Sequence, residues 1–437
     1  MPTIIKRSLK DNLSRANGFD DKSTVCANFE RTDNENEKIS FEKYLQLVKN
    51  PTTGGITTNI PDHWGSCVVR GIFTILLLAY FWYTIYMGPF AIMLTTLAIQ
   101  VKCFAEIIDI VHKSYPINEL PLFRLTSWYF LVAANYFCYG ETLADYFNVF
   151  IGKIYVLRLL VNYHRFVSFC MYFVGIMWFV LSLRSKYDMH QFSLLAYTHI
   201  ALLLIVVQSY MIVKNIFQGL IWLAVPVTLV VCNDITAYIF GKTFGKTPLI
   251  RVSPKKTWEG FIGAAVSTVI YGIVASYIMC HYSYFTCPVE YVEEMGKIEM
   301  NNNCETTSTF ELKNYTISLN ILELFYATAS FLIYPFIFHS IVLSVFSSVI
   351  APFGGFFASG FKRAFKIKDF GETIPGHGGI LDRFDCQFFM ATFVNVYITS
   401  FIKNATPEKI FNKVLYLEPD QQLQFFNMLK ESLKDKL

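Results

Sequence analysis

Charge is what this chain most lacks. Asp, Glu, Lys and Arg make up 16% of its 437 residues, against about 25% in ordinary soluble domains. Hydrophobic residues reach 54%, with 42 Phe and 26 Tyr. So little charge cannot cover a water-facing surface, which excludes a soluble globular protein. A net charge of +4 with no long basic run also excludes nucleic acid as a partner. No CxxC and no Cys/His spacing of a zinc site occurs among the 10 Cys. Cys67, Cys103, Cys138, Cys170, Cys232, Cys280 and Cys386 stand in apolar surroundings and read as small hydrophobes. No signal peptide is expected, because residues 1–62 are polar throughout. Insertion then relies on the first apolar helix.

What the chain has instead is apolar runs long enough to cross a bilayer, which takes about 20 residues per helix. They fall at 68–87, 90–111, 125–147, 166–183, 194–213, 216–232, 261–280, 328–350 and 386–402. The expected fold is all-α, a polytopic integral membrane helical bundle with about nine transmembrane helices. Residues 1–62 form a polar cytosolic tail without sustained periodicity. Residues 63–403 form the transmembrane catalytic domain, and 404–437 a C-terminal tail. In that tail Leu423, Phe426, Leu429 and Leu433 recur near helical spacing and predict an amphipathic helix.

Basic residues between spans mark the cytosolic side. Lys113, Arg124, Arg184 and Lys186 agree with a cytosolic N-terminus. Lys153, Arg158 and Arg165 disagree, and part of 151–164 reads as an interfacial segment. The same parity puts 241–260 and 362–385 in the cytosol and the loop 281–324 in the lumen. In an oxidising lumen Cys287 and Cys304 are candidates for a disulfide, and Asn314-Tyr315-Thr316 for a glycan.

Two stretches gather charge beside apolar helices. The first runs from Asn233-Asp234 through Phe244-Gly245-Lys246-Thr247-Pro248 to Ser253-Pro254-Lys255-Lys256-Thr257-Trp258-Glu259-Gly260. Asp234 closes a long apolar run, and a carboxylate at membrane depth is costly enough to be read as functional. Lys255, Lys256 and the hydroxyls of Ser253 and Thr257 supply the cations and donors that a triphosphate needs. The second stretch holds Lys362-Arg363, Lys366, Lys368-Asp369, Pro375-Gly376-His377-Gly378-Gly379 and Asp382-Arg383-Phe384-Asp385. A Gly-rich turn lets backbone N–H groups approach phosphate oxygens. Asp382 and Asp385, three apart, share one face of a helix and suit a hard cation such as Mg²⁺. Singly, each feature has a plainer reading: a topology signal, a turn, a structural ion pair. Together they describe a site for an anionic, metal-bound substrate at the membrane face.

At these residues the chain resembles the CDP-diacylglycerol synthases (phosphatidate cytidylyltransferases) of eukaryotic type. The run 359–385 is similar to that family's signature, and 253–260 to a second family motif. The resemblance implies transfer of a cytidylyl group from CTP to phosphatidic acid, with Mg²⁺ as cofactor and pyrophosphate released. It also implies a place in phospholipid biosynthesis in the endoplasmic reticulum membrane, with the active site facing the cytosol. Membrane lipids are the other partners, and the reading leaves room for a homodimer. Bacterial members tend to carry two adjacent acids where this chain has Asn233-Asp234, and Gly-Asp where it has Gly354-Gly355. Metal ligation is therefore expected to rest on Asp234, Asp382 and Asp385. Lys255, Lys256 and Arg383 are expected to neutralise the triphosphate, and Lys362 and Arg363 to meet the lipid phosphate. Ser253, Thr257, Lys368, Asp369, His377 and Asn233 complete the expected substrate contacts. The alternative is a CTP-dependent polyprenol or phytol kinase, which would use a similar site but need a general base.

Overall fold

The computed structural model describes residues 62–114, 121–146, 155–184, 188–250, 253–292, 297–300, 304, 307–317, 329–374, 378–402, 414 and 417–434. The expected tail at 1–62 falls outside them except for Asp62, which opens the first helix. The chain divides into Met1–Gly65 and Ser66–Leu437, and the architecture below is that of the second unit.

Helices dominate, because backbone inside a bilayer has no water to bond and must satisfy itself. In chain order they are α1 (Asp62–Met87), α2 (Pro89–Ser114), α3 (Pro121–Tyr146), α4 (Tyr155–Asn162), α5 (His164–Leu181), α6 (Asp188–Ala201), α7 (Gln208–Phe217) and α8 (Ile221–Phe244). After the hairpin β1 (Pro248–Ile250) and β2 (Ser253–Thr257) come α9 (Trp258–Cys280) and α10 (Ser283–Thr286). Then follow the strands β3 (Val289–Val292), β4 (Lys297–Met300), β5 (Lys313–Ile317) and β6 (Ala329–Ile333). The chain closes with α11 (Phe336–Val349), α12 (Pro352–Ala364), α13 (Leu381–Tyr397) and α14 (Pro419–Lys434). π turns at Leu202–Val207 and Ile398–Ile402 join α6 to α7 and extend α13.

Seven stretches among the described residues are long and apolar enough to cross a membrane. They are Val69–Met87, Pro89–Ser114, His164–Leu181, Met189–Phe217, Ile221–Phe244, Trp258–Cys280 and Phe336–Ala364. The all-α membrane reading holds, with seven stretches rather than nine meeting that test. The other two expected spans also form helices but are more polar. α3 carries Arg124, Glu141 and Asp145, and α13 opens with Asp382, Arg383 and Asp385.

Two expected boundaries move. The fifth and sixth runs were expected to part near Lys214 and Asn215, yet both residues lie inside α7. The turn comes at Gly219, whose φ of +125° suits glycine. Asn215 is a buried bridge to α13: its Nδ2 donates to the Ala391 carbonyl (2.9 Å) and its Oδ1 accepts from Asn395 Nδ2 (3.0 Å). The run expected from 328 becomes helical only at Phe336, since Pro335 disfavours helical backbone in the residue before it. Its first part is β6, paired antiparallel with β5. The loop 281–324 thus carries small hairpins, and Cys287 and Cys304 are joined in a disulfide with Cα atoms 5.8 Å apart. Asn314 of the sequon is exposed on β5. Within the stretch expected at the interface lies the short α4. In the C-terminal stretch α14 spans Pro419–Lys434, with Leu423, Phe426, Leu429 and Leu433 all exposed.

Close backbone approach organises the bundle, as expected where apolar burial no longer distinguishes protein from lipid. α8 and α9 meet at Gly241 and Gly260, where a Cβ on Gly260 would lie 2.9 Å from the Ala237 carbonyl oxygen. One turn on, a Cβ on Gly263 would lie 2.6 Å from the Phe240 ring. α9 and α11 touch through Ser340 Oγ, which donates to the Gly272 carbonyl (3.0 Å). Ile216, Leu220, Ile221 and Trp222 fill the centre, with Trp222 packed edge-on to Phe336 at 5.1 Å. Large apolar side chains such as Ile75, Phe166 and Val266 face outward, toward lipid.

Candidate active site

The N-terminus of α13 presents N–H groups that need acceptors from outside the helix. Two carboxylates supply them. Glu106, buried in α2, accepts the Ile380 N–H (2.9 Å) and the Thr373 hydroxyl (2.7 Å) at Oε1, and the Leu381 N–H (3.0 Å) at Oε2. Asp382 accepts the Gly379 and Phe370 N–H groups at Oδ2, both at 3.0 Å, and Lys362 Nζ at Oδ1 (2.6 Å). The loop between α12 and α13 is thereby held at both ends. Gly379 is required here, because a Cβ would stand 2.7 Å from Glu106 Oε2. Ile374 and Gly378 exchange backbone hydrogen bonds (2.9 and 3.1 Å). His377 itself lies outside the described residues.

α12 delivers Lys362 and ends in a tight cap. The Ile367 N–H reaches the Lys362 carbonyl (2.9 Å) and the Lys366 N–H the Arg363 carbonyl (3.1 Å), with Lys366 at φ 55°. That is the paired pattern of a left-handed helix stop. Phe361 stacks on Phe365 and Phe370 at 4.5 and 5.6 Å, which fixes the face that carries Lys362.

Beside this loop two carboxylates from distant parts of the chain come together. Asp234 stands in the middle of α8, since that helix continues ten residues beyond it to Phe244. It is exposed, at an open site here called the cleft. Asp385, Lys256 and Arg383 all lie within its electrostatic reach. Gly355 of α12 leaves room between them: a Cβ there would sit 3.5 Å from Asp385 Oδ2 and 3.8 Å from Lys256 Nζ. Lys256 Nζ also lies 4.5 Å over the Phe356 ring. Asp385 Oδ1 accepts the Cys386 N–H (2.7 Å), so Oδ2 is the oxygen turned to the cleft.

The block 253–260 divides between structure and chemistry. Thr257 caps α9 by accepting the Gly260 N–H (3.3 Å). Glu259 accepts the Lys246 N–H (3.1 Å) and the Thr247 hydroxyl (2.8 Å), pinning the turn before β1. Gly260 permits the close approach of α8. Lys256 is left to face the cleft, while the Lys255 side chain lies outside the described residues. Ser253 is half-buried on β2 opposite Ile250. Asn233 is buried against α9, its Oδ1 accepting from Thr268 Oγ1 at 3.5 Å. Arg363, Lys368 and Asp369 are exposed around the loop, with Asp369 packed on Gly378.

One residue of this arrangement escapes sequence reasoning: Glu106 carries the same signal as Asp234, a carboxylate within an apolar run. Gly355 is marked in the sequence only as the place where bacterial members of the resembled family carry an acid, and the space it leaves depends on Asp385 and Lys256. No group of three or more His, Cys, Asp or Glu side chains suited to a metal occurs among the described residues. The Asp234–Asp385 pair nonetheless fits Mg²⁺, which takes one or two carboxylates and completes its shell with water and substrate phosphates.

Residues 68–401 match the cytidylyltransferase family. The chain belongs to that family. It is 52% identical over 397 residues to phosphatidate cytidylyltransferase 1 of Rattus norvegicus, covering 91% of this chain and 84% of that protein. It is 50% identical to phosphatidate cytidylyltransferase 2 of Homo sapiens (87% and 84% covered) and 48% identical to phosphatidate cytidylyltransferase of Caenorhabditis elegans (86% and 80%). Every residue named above, from Glu106 to Asp385, falls inside the matched span.

Proposed function

We infer that this chain is a phosphatidate cytidylyltransferase, a nucleotidyltransferase of phospholipid biosynthesis that converts CTP and phosphatidic acid to CDP-diacylglycerol and pyrophosphate. Its carrying observation is the near-50% identity, over most of both chains, to proteins of that name. The polyprenol-kinase alternative finds no support among them.

The mechanism we favour is direct displacement. An oxygen of the lipid phosphate forms a bond to the α-phosphorus of CTP as the bond to the β-phosphate oxygen breaks, and pyrophosphate departs with that electron pair. The nucleophile is already an anion, so no strong general base is needed and His377 is left to shape its turn or donate to a phosphate. Catalysis is then positioning and charge neutralisation. Asp234 and Asp385 would hold Mg²⁺, whose charge offsets that of the triphosphate. Lys256 and Arg383 neutralise the phosphates, and Lys255 is the further cation that the sequence offers for them. Lys362 and Arg363, at the end of α12, would meet the lipid phosphate. Asp382 serves mainly to orient Lys362 and the loop, since its oxygens already accept Lys362 and two backbone N–H groups.

A cytosolic site in the endoplasmic reticulum membrane is supported by the basic residues around α12 and by the disulfide. Gly219, against Phe285 and Thr286 beside that disulfide, starts the turn into α8, and Asp234 lies about 20 Å farther along that helix. A disulfide suits the lumenal side, which leaves the cleft for the cytosol.

CTP labelled at the α- or the γ-phosphate, given to purified protein with phosphatidic acid, tests the reaction. The α-label is expected in the lipid product. Appearance of the γ-label in lipid would sink this reading in favour of a kinase.

A further inference from the structure

The end of α8 from Asp234 onward carries two stripes of opposite chemistry. Asp234, Tyr238 and Lys242 recur four apart, so they share one face of the helix. Ile235 and Ile239 share the next face and are about half exposed, an apolar side suited to lipid. Two turns before Asp234, α13 lies against α8, and Gln387 Nε2 donates to the Val227 carbonyl (3.2 Å). Beyond Asp234 the first stripe is open: Tyr238 is 68% exposed. Lys242 Nζ stands 5.9 Å from the Tyr238 ring centroid, over one face of the ring.

We propose that Tyr238 is the platform on which the cytosine ring of CTP stacks, with the triphosphate at the Asp234–Asp385 pair. The proposal rests on the assigned reaction. Two observations point to this role. The contact of α13 with α8 at Val227 closes the inward direction, so a nucleotide whose phosphates sit at Asp234 extends outward along α8. Tyr238 is the next side chain on that face, about 6 Å along the axis for four residues. That step is comparable to the ribose that separates cytosine from its α-phosphate. Lys242 covers one face of the ring, and the base takes the other. Stacking on an aromatic side chain supplies affinity without choosing the base, because every base has a π face. The plainer role of an exposed Tyr is an anchor at the membrane interface. Such an anchor belongs with Ile235 and Ile239 on the lipid side, whereas Tyr238 stands in line with Asp234 and Lys242.

Tyr238→Leu keeps an apolar side chain at this position and removes the ring. It is expected to raise the KM for CTP at least about fivefold, the low end of a stacking contact. The KM for phosphatidic acid and the melting temperature should stay near those of wild type. So should the inhibition constant of inorganic tripolyphosphate, which has the phosphates but no base. Tyr238→Phe, which keeps the ring, should lie much closer to wild type than Tyr238→Leu. Equal changes for CTP and tripolyphosphate, or an unchanged KM for CTP, would overturn the platform. Should Tyr238→Leu not fold, the wild-type protein supplies the second measurement. A CTP analogue iodinated on the base is expected, on irradiation, to crosslink within residues 233–242, and unlabelled CTP should suppress the crosslink. Crosslinks confined to other peptides overturn the proposal. Failure of the reaction assignment looks different: wild-type protein would then form no CDP-diacylglycerol at all.

Discussion

Glu106 and Leu381, 275 positions apart in the chain, are joined by a 3.0 Å hydrogen bond from the Leu381 N–H to the Glu106 carboxylate. The same carboxylate accepts from Ile380 and Thr373, so a single side chain of α2 seats the first turn of α13 and the loop before it. Glu106→Ala strands these donors in a buried place, at about 1–3 kcal/mol for each unsatisfied group. Purified Glu106→Ala is expected to melt several degrees lower and to lose more than tenfold in turnover. Glu106→Gln should lie between it and wild type, since one acceptor oxygen remains. Unchanged melting and turnover in Glu106→Ala would refute the seating role.

Asp234 and Asp385 face the cleft, whereas Asp382 is spent on the loop. Asp234→Asn and Asp385→Asn should each cut turnover at least a hundredfold while leaving thermal stability near that of wild type. Asp382→Ala should lose turnover and stability together. Near-normal turnover of Asp385→Asn at saturating Mg²⁺ would remove the metal assignment, and the same result for Asp382→Ala would dismiss it from the site altogether.

The Lys362–Asp382 pair is largely buried, with side-chain exposures of 18% and 6%. Removing one partner of such a pair costs on the order of 3 kcal/mol. Lys362→Met is therefore expected to destabilise the protein and to raise the KM for phosphatidic acid more than that for CTP. Steady-state kinetics with each substrate varied in turn checks this, and a rise confined to CTP would move Lys362 to the nucleotide side.

The disulfide closes a loop with a sequence separation of 17 and stands at the far end of α8 from the cleft. By loop entropy it contributes about 3 kcal/mol. Cys287→Ser with Cys304→Ser, or a reductant, should lower the melting temperature and leave turnover per folded molecule unchanged at low temperature. A large loss of turnover without loss of stability would mean that the loop acts on the cleft.

Much of this was legible in the residues and some was not, for physical reasons. Apolar runs gave the helices directly, because period and length are local properties. The start of α11 was misplaced because Pro335 overrides the apolar run, and the turn at Gly219 because Asn215 looked like a loop residue. Its partners Ala391 and Asn395 lie nearly two hundred positions away. The two charged blocks lie near each other in the fold through Asp234, Lys256, Arg383 and Asp385, but motif reading does not separate groups free for substrate from groups that hold the frame. Thr257, Glu259 and Asn233 make contacts within the frame. Asp382 is engaged on both oxygens. Glu106 stands inside the expected span 90–111, and its partners Thr373, Ile380 and Leu381 are distant in the chain.

The crossing of α8 and α9 bears on how this protein tolerates change. Gly260 and Gly263 leave no space for even a methyl group against the facing helix. In a survey of every single replacement, these two positions should be as intolerant as Asp234, although neither meets a substrate. Inactivity alone will not tell a reactive group from two backbones in contact. An alanine at Gly263 whose activity returns when Phe240 across the crossing is made smaller would identify the second kind.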